Sequence, residues 1–482
     1  MKYNLSEVKK LLERHLEKSL VNKMYTSKTI EARELLTSTR FDVAFKLLYL
    51  EIKSKNIEFA KEIYKEHIRA FSLGKFTEYG NKEKDSIRVF FKEFDDTFEN
   101  INLNGFDNTK SLIPLSKNGS IVDGSHRLAS AIFLNKNVEC VNIKAYNPIY
   151  DYKFFYNRNI SNGVLDMAAT KFIEYSNNTY IAFIWPAAKG RDREIEKIIS
   201  NVVYRTKVKL NLNGAHNLLS QIYYGEEWLG NIKNNFSGVR GKLTKCFKTF
   251  DAVKILVFQS ENLSDVLDIK EKVRGIFDIG KHSIHITDTK EEAVRLARTI
   301  FNDNSIHFLN YAKPNKYFSI HKKIEKFKKL AIKNQFNMDD VLMCGGMTLS
   351  AYGLIEENGD DIFLNLKYND KKLEGYCKEF KYYNKEKSDL IFNPKNYFYF
   401  NDVKFISFDQ VYKIKKNNGK GENISDLKMM EELMESVKNK KTLNQWRQNL
   451  YYGRAKLRQR IVSLLNFFGL LNIIKKVLRD RQ

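Results

Sequence analysis

The length of the chain is the feature that most constrains its fold. A single hydrophobic core stops growing at roughly 250–300 residues, and this chain has 482. We therefore expect three or more compact units, each with its own core. Apolar residues make up 43% of the sequence and aromatic residues 13%, so each unit has enough apolar surface to fold, and disorder is not expected.

The sequence is strongly basic. It contains 82 Lys and Arg against 58 Asp and Glu, which gives a formal net charge of +24. Such an excess favours polyanionic partners: nucleic acid, nucleotides, acidic glycans or anionic lipid. The lysines are scattered rather than gathered into one stripe with interleaved aromatic residues, so nucleic acid is the less favoured partner.

Cysteine spacing and the N-terminal pattern bear on location. The four cysteines, Cys140, Cys246, Cys344 and Cys377, have no paired spacing that suits zinc or a disulfide framework. The N-terminal residues are charged and helix-patterned, without the apolar run of a secretory signal. The sequence therefore predicts a cytoplasmic protein in a reducing compartment.

Changes in residue pattern predict a multidomain α+β fold. The predicted units are a helical segment (1–80), a unit of short strands and turns (81–155), a unit of alternating strands and helices (176–312), a mixed α/β unit (316–438) and a basic amphipathic helix (451–482). The alternation over 176–312 is typical of a ferredoxin-like sandwich. The Asn-rich stretch from Tyr156 to Asn178 is predicted to be a joint.

A tight turn joins a short strand to a helix at Asp123, Gly124, Ser125, His126 and Arg127. Free amide donors at the start of that helix, with Arg127 beside them, form an anion site. Gly124 allows close backbone approach, and Asp123 suits a magnesium ion or a substrate hydroxyl. The alternative is that Asp123 only caps the helix while His126 and Arg127 are solvated.

The segment that carries this turn, GFDNTKSLIPLSKNGSIVDGSHRLASAIF, resembles the ParB and sulfiredoxin superfamily over roughly residues 85–145. That superfamily includes DNA-partitioning proteins that bind CTP, a reductase that phosphorylates a sulfinic acid, and small-molecule kinases. The resemblance implies that residues 123–127 contact nucleotide phosphates, with Asp123 in a catalytic role. The absence of a clear helix-turn-helix motif downstream speaks against the DNA-partitioning branch.

A second candidate site surrounds His285. Alternation puts Ile284 and Ile286 on one face of a strand and His285 on the other, away from the buried face. Thr289 and Glu292 predict a capping box, so His285 lies just before a helix N-terminus, where a phosphorylated imidazole is electrostatically favoured. The alternative is a structural histidine in a strand.

Residues 180–301 resemble nucleoside diphosphate kinases in three segments: IAFIWPAAKGRDREIEKII, KVRGIF and KHSIHITDTKEEA. In that family the histidine of the last segment carries the phosphoryl group and the arginine of the middle segment steadies the phosphates. The resemblance implies catalytic His285 and nucleotide-binding Arg274, with Thr287 beside the histidine. Trp228 is the aromatic residue expected to stack on a nucleobase.

Three departures from that family matter. Trp185 stands in place of the lysine at the end of the first strand, His282 in place of an asparagine, and Leu296 in place of the carboxylate that supports the histidine. A standard nucleoside diphosphate kinase is therefore not expected. Either the acceptor has changed or the fold has been kept for binding alone.

A third candidate lies at Gly345 and Gly346, followed by Asp361. The pattern resembles polymerase-β-like nucleotidyltransferases, in which a Gly-Gly turn opens a helix and paired carboxylates hold magnesium ions. The resemblance implies that Asp361 is a metal ligand, although Phe363 occupies the place of the second carboxylate. The alternative is a turn and a solvated acidic loop.

The C-terminal 32 residues, 451–482, contain eight Lys and Arg and one acidic residue. The apolar run at 461–474 is too short to cross a bilayer as a helix, so a helix that lies in the membrane interface is favoured slightly over one that docks on protein.

The leading hypothesis is a nucleotide-dependent phosphotransferase, a kinase in the broad sense, that uses ATP or another nucleoside triphosphate with Mg²⁺. Its expected substrate is a small hydroxylated compound, with surface glycan or polymer assembly at the inner membrane face as one setting. The alternatives are a nucleotide-gated ParB-like DNA-binding protein and a nucleotidyltransferase.

Overall fold

The structure is a computed structural model that describes residues 1–78, 81, 83–357, 363–366, 382–418 and 421–471. It is a mixed α+β protein with three small sheets of four strands each, which confirms the predicted fold class at this level. The sheets follow one another along the chain, and helices lie between their strands and after the last sheet.

The first sheet is built from both ends of the first 150 residues. Its unit contains β1 (Lys2–Asn4), α1 (Leu5–Leu11), β2 (Met24–Glu31), α2 (Asp42–Lys53), α3 (Ile57–Phe71), α4 (Ile87–Asn104), β3 (Ile113–Leu115), α5 (Ser125–Phe133) and β4 (Asn137–Asn142). The strand order is β1-β2-β4-β3, and only β3 and β4 are parallel.

The prediction of a purely helical segment over 1–80 is wrong at β1 and β2. In β2 only Tyr25 and Ser27 are buried. The strand therefore lacks the alternating apolar pattern by which a strand is recognised in a sequence. Pairing with β4, more than 100 residues away, decides its structure. Strands from 1–80 and 81–155 therefore share one sheet.

The stretch predicted as a joint contains the last residue of α6 (Tyr152–Tyr156) and the whole of α7 (Asn162–Tyr175). α7 buries Leu165, Ala168 and Phe172 completely and packs against α2. The prediction is wrong because polar Asn and Ser residues cluster only before and after an apolar helix face.

The second sheet belongs to the unit that alternates strands and helices. Its elements are β5 (Thr179–Ile184), α8 (Asp192–Ile198), β6 (Val202–Val208), α9 (Leu212–Ile222), α10 (Val239–Cys246), β7 (Val253–Gln259), α11 (Leu263–Phe277), β8 (Ile284–Ile286), α12 (Lys290–Ile300) and α13 (Asp303–Tyr311). The strand order is β6-β7-β5-β8, with every pair antiparallel. The predicted alternation is confirmed.

Helices cover both faces of this second sheet. α8 and α11 pack on the face that carries Ile184, Leu256 and Ile286. α9 and α12 belong to the larger core that includes Ile181 and Phe183 on the opposite face. Side chains on either face of β8 are therefore close to helices.

The third sheet has the order β10-β9-β12-β11. Its unit contains α14 (Ser319–Lys333), β9 (Val341–Met343), α15 (Gly345–Ala351), β10 (Phe363–Asn365), α16 (Lys387–Phe392), β11 (Tyr397–Phe400), β12 (Val403–Ile406), α17 (Phe408–Asn418) and α18 (Gly421–Phe467). α15 begins at Gly345, where the Gly-Gly turn predicts a helix. α18 starts well before residue 451 and continues without a break through it, so the C-terminal helix is longer than predicted.

The length of the chain predicts one core per unit, but the buried apolar residues are not divided in this way. One cluster extends from Ala32 to Met430 and includes residues beside all three sheets. Phe41, at the start of α2, stacks at 6.3 Å from Phe172 and 6.2 Å from Tyr204 between ring centroids. The first and second sheets are therefore held together by shared packing.

Candidate functional site

The Asp123 turn has the backbone geometry of an anion site. Gly124 adopts a left-handed conformation with φ of +83°, and its N–H donates to Asp123 Oδ1 at 2.6 Å. α5 begins at the next residue, Ser125, without a side chain that caps it. The first amide groups of α5 are therefore free of side-chain acceptors.

Of the two basic residues in the turn, only Arg127 stays close to it. Arg127 Nη1 donates to the carbonyl of Leu112 at 3.4 Å, and Nη2 lies 3.0 Å from where a Cβ on Gly124 would be. The Arg127 guanidinium thus lies beside the uncapped N-terminus of α5, as the sequence predicts.

His126 points into the protein instead. Its Nε2 lies 2.7 Å from the hydroxyl of Tyr64 on α3, and its ring packs 4.5 Å from Phe94 on α4. Burial, together with Lys46 and Lys84, holds the pKa of His126 well below its usual value, so it is neutral. The predicted phosphate contact by His126 is wrong because α3 and α4 cover that side of α5.

A buried ionic network, which sequence reasoning missed, supports the turn from below. Asp42 accepts from Arg40 Nε at 2.8 Å and from Lys46 Nζ at 3.1 Å, and all three side chains are at most 4% exposed. Arg40 also donates to the carbonyl of Ile121 at 2.7 Å. Burial alone would raise the pKa of Asp42, but Arg40 and Lys46 lower it far below its usual value.

The second candidate centres on His285 in β8, opposite Phe183 of β5. His285 Nε2 lies 3.0 Å from Glu292 Oε1, and the His285 side chain is only 12% exposed. The prediction that His285 lies away from a buried face is wrong, because α9 and α12 cover this face too. The ring is therefore held by a carboxylate in a largely enclosed position.

Glu292 is the supporting carboxylate that sequence reasoning missed. Its N–H donates to Thr289 Oγ1 at 3.1 Å, as the capping box predicts. Its carboxylate, however, accepts from Asp288 N–H at 2.9 Å and contacts His285. Leu296, one turn later, is buried in the core, and Glu292 is the carboxylate that contacts His285. Burial raises the pKa of Glu292, but the contact with His285 outweighs it and lowers this pKa overall.

Tyr223, at the end of α9, links His285 to the other predicted residues. Its ring centroid lies 5.3 Å from that of His285 and 5.3 Å from that of Trp228. Burial raises the pKa of Tyr223, and nearby Arg274 opposes this shift. The structure thus gathers His285, Arg274 and Trp228 around a tyrosine that the sequence did not single out. Trp228 is 45% exposed, which leaves its ring open to stacking.

Cations surround this cluster. Lys242 Nζ lies 4.7 Å from the ring centroid of Tyr223 and donates to the carbonyl of Lys281 at 2.9 Å. Burial, followed by Lys242, Lys245 and other lysines, lowers the pKa of His282 to about 4. The potential near His282, just before β8, is therefore positive, which suits an anionic ligand.

Thr287 is used differently from its prediction. It is fully buried, and its Oγ1 accepts from the N–H of Ile181 at 3.0 Å. Its own N–H donates to the carbonyl of Ile181. Thr287 therefore extends the pairing of β5 and β8, and its assignment as a nucleotide-binding residue is corrected.

The third candidate is only partly described. Asp361 lies outside the described residues. Two other carboxylates of the same unit, which are possible further metal ligands if the unit has this fold, are paired: Asp409 with Lys413 and Asp426 with Lys415, each at 2.6 Å. In the described part of the chain, no group of three or more His, Cys, Asp or Glu side chains is arranged to hold a metal ion.

Comparison with known proteins adds no relative: no family model, curated protein or solved structure matches this chain.

Proposed function

We propose that the chain is a nucleotide-dependent phosphotransferase in which His285 carries the phosphoryl group to a small hydroxylated acceptor in the cytoplasm. The observation that carries this proposal is the 3.0 Å contact between His285 Nε2 and Glu292 Oε1. A carboxylate that accepts the Nε2 proton fixes the tautomer and leaves the Nδ1 lone pair as a nucleophile. Within the described residues, Nδ1 makes no hydrogen bond.

The strand order of the second sheet supports the proposal. Numbered within their own unit, its strands run 2-3-1-4, the order of a ferredoxin-like sandwich built as βαββαβ. His285 lies on the fourth strand. The resemblance to nucleoside diphosphate kinases implies the same strand order, and here α9 and α10 lie between the second and third strands.

The proposed reaction has two steps. His285 Nδ1 attacks the γ-phosphorus of the nucleotide, an N–P bond forms, and the nucleoside diphosphate leaves with the electrons of the broken P–O bond. The acceptor hydroxyl then attacks the same phosphorus, the N–P bond breaks, and the hydroxyl proton passes to a base in the solvent. Lys242 and Arg274 offset the phosphate charge, and Trp228 stacks on the base.

Neither step of the proposed reaction depends on a magnesium ion that is bound by the protein. The described carboxylates do not form a binding set for it, and Asp361, its predicted ligand, lies outside the described residues. Mg²⁺ is expected to arrive as the counterion of the nucleotide phosphates.

Labelling with a γ-labelled nucleoside triphosphate tests the proposal. The purified chain should acquire a label that is labile in acid and stable in base, and His285→Ala should abolish it. His282→Ala is the matched control, because His282 lies near the same strand and should leave the label in place. Unchanged labelling of His285→Ala would remove the histidine mechanism.

The Asp123 turn supports a second candidate, direct phosphoryl transfer from a nucleotide held on α5. The specific observation is the uncapped helix start beside Arg127. Under this alternative Arg127→Ala, but not His285→Ala, removes nucleotide binding and acceptor phosphorylation. The exposed Lys117, on the neighbouring hairpin, gives the control Lys117→Ala.

Two further alternatives give different products. A ParB-like protein would retain duplex DNA with a steep salt dependence that changes with CTP. A nucleotidyltransferase would release pyrophosphate. One assay series should measure the release of phosphate, the release of pyrophosphate and the retention of DNA. Together these measurements separate the two alternatives from a phosphotransferase that acts on surface glycan or polymer precursors.

A further inference from the structure

The C-terminal end of α18 exposes large apolar side chains. Leu457 is 59% exposed, Leu464 57% and Phe467 84%, and Phe468, just after the helix, is 65% exposed. A helix that docks on its own protein buries such residues. This end of α18 therefore has no covering surface among the described residues.

Three exposed apolar side chains form one face of the helix. Leu457, Ile461 and Leu464 are four and three residues apart, so they lie on the same side. Arg458 and Arg460 lie to either side of this apolar face, and both are exposed. We call the face of Leu457, Ile461 and Leu464 the apolar strip. Ser463 and Asn466 lie on the opposite side of the helix.

The charge of this part of the chain has one sign. Residues 436–479 contain eleven Lys and Arg and no Asp or Glu. A segment with this composition lacks internal counterions, so it attracts a negatively charged partner. The apolar strip requires that the same partner also receive hydrocarbon side chains.

We propose that the C-terminal end of α18 binds the surface of an anionic lipid bilayer. The helix lies in the plane of the interface, with the apolar strip among the acyl chains and Arg458 and Arg460 at the lipid phosphates. No described helix has the length and apolar character needed to cross a bilayer.

Other occupants fit less well. Leu450, Leu457 and Leu464 recur every seven residues, which resembles a coiled-coil seam. A second copy would, however, bring Arg454 of both chains to that seam, without acidic residues nearby to pair with them. Nucleic acid would match the charge and leave the apolar strip in water. The proposal does not rest on the proposed phosphotransferase activity.

Flotation of the full chain with vesicles tests the proposal. The chain should float with vesicles that contain phosphatidylglycerol, much less with phosphatidylcholine alone, and high salt should weaken the binding. Leu457→Glu with Leu464→Glu should lower the bound fraction at least about ten-fold, because both positions lose apolar burial and gain charge. Ser463→Glu with Asn466→Glu adds the same charge on the opposite face and should bind like the parent to within about two-fold.

Three results would overturn the proposal. The first is no flotation of the parent chain with phosphatidylglycerol vesicles. The second is an equal loss in the two double variants, which would show that charge alone matters. The third is a dimer in sedimentation velocity, or retention of duplex DNA, that Leu457→Glu with Leu464→Glu abolishes while flotation persists. Since all four positions are exposed, circular dichroism should show that every variant folds.

Discussion

The Asp123 turn and the His285 cluster both place cationic groups near a helix start, but they differ in what those cations do. Below the turn, Arg40 and Lys46 are both paired with Asp42 and shielded from solvent. Near His285, burial and then the positive field of Lys242, Lys245 and Lys281 lower the pKa of His282 to about 4. Buried charges that are paired stabilise the fold, whereas neighbouring charges of the same sign favour the binding of an anion.

The largest expected effect tests whether the network below the turn is structural. Asp42→Ala leaves Arg40 and Lys46 buried without a counterion, so it should lower the free energy of unfolding by about 3–5 kcal/mol. Urea denaturation followed by circular dichroism measures this. Asp96→Ala, at an exposed position on α4, should change it by less than about 0.5 kcal/mol. Equal effects would erase the contrast between the two regions.

The next effect concerns the carboxylate behind His285. Glu292→Gln keeps the size of the side chain but removes its charge, so the rate of phosphoryl labelling should fall about 10–100-fold. Glu291→Gln changes the neighbouring exposed carboxylate and should leave the rate unchanged. If both variants label like the parent, Glu292 has only a capping role and the two regions are more alike than we propose.

A smaller effect measures how tightly the turn is built. Gly124 and Gly119 both have positive φ, +83° and +79°, but only at Gly124 would a Cβ meet a neighbour, Ile113 Cδ1, at 2.9 Å. Alanine at either position strains the backbone by about 1 kcal/mol. Gly124→Ala should cost about 1 kcal/mol more than Gly119→Ala, since Ile113 must move. Thermal denaturation compares them, and equal midpoints would contradict close packing at the turn.

A last effect depends on pH and lies outside both regions, where Tyr204 of β6 donates to Asp166 Oδ1 of α7 at 2.7 Å. Burial raises the pKa of Asp166 to about 7, above its unfolded value near 3.8. Folding therefore favours the protonated form, and stability is lost as the pH rises from about 4 through 7.

Asp166→Asn stays neutral and still accepts from Tyr204. It should match the parent at pH 4 and become more stable than the parent by up to about 4 kcal/mol above pH 7. Asp303→Asn, which changes a nearby exposed carboxylate, should show less pH dependence. Melting temperatures across this pH range measure both, and parallel curves for Asp166→Asn and the parent would show that Asp166 is ionised in the folded state.

The sequence predicts the second unit better than the first, for a physical reason. β5, β7 and α11 each carry their own apolar pattern, so they are visible locally. β2 exposes most of its residues and becomes a strand only by pairing with β4. Polar residues flank α7 at both ends, so the sequence pattern predicts a joint at the surface. The structure has a helix there with a buried apolar face.

The candidate site divides in the same way. His285, Arg274 and Trp228 were identified from motifs, and the structure gathers them. Glu292 and Tyr223 were missed as partners, because the direction of a side chain depends on packing between elements. The pattern Thr-x-x-Glu predicts that the Glu292 side chain accepts from a backbone N–H at the start of its own helix. Its carboxylate also contacts His285, on the preceding strand β8.

The most direct test of the central claim is to determine which nitrogen of His285 takes the phosphoryl group. The chain can be labelled with ¹⁵N-histidine, incubated with a nucleoside triphosphate, and studied by ³¹P and ¹⁵N NMR. We expect a phosphoramidate at Nδ1, because Nε2 is held by Glu292. Phosphate on Nε2, on another residue, or on none would contradict the account.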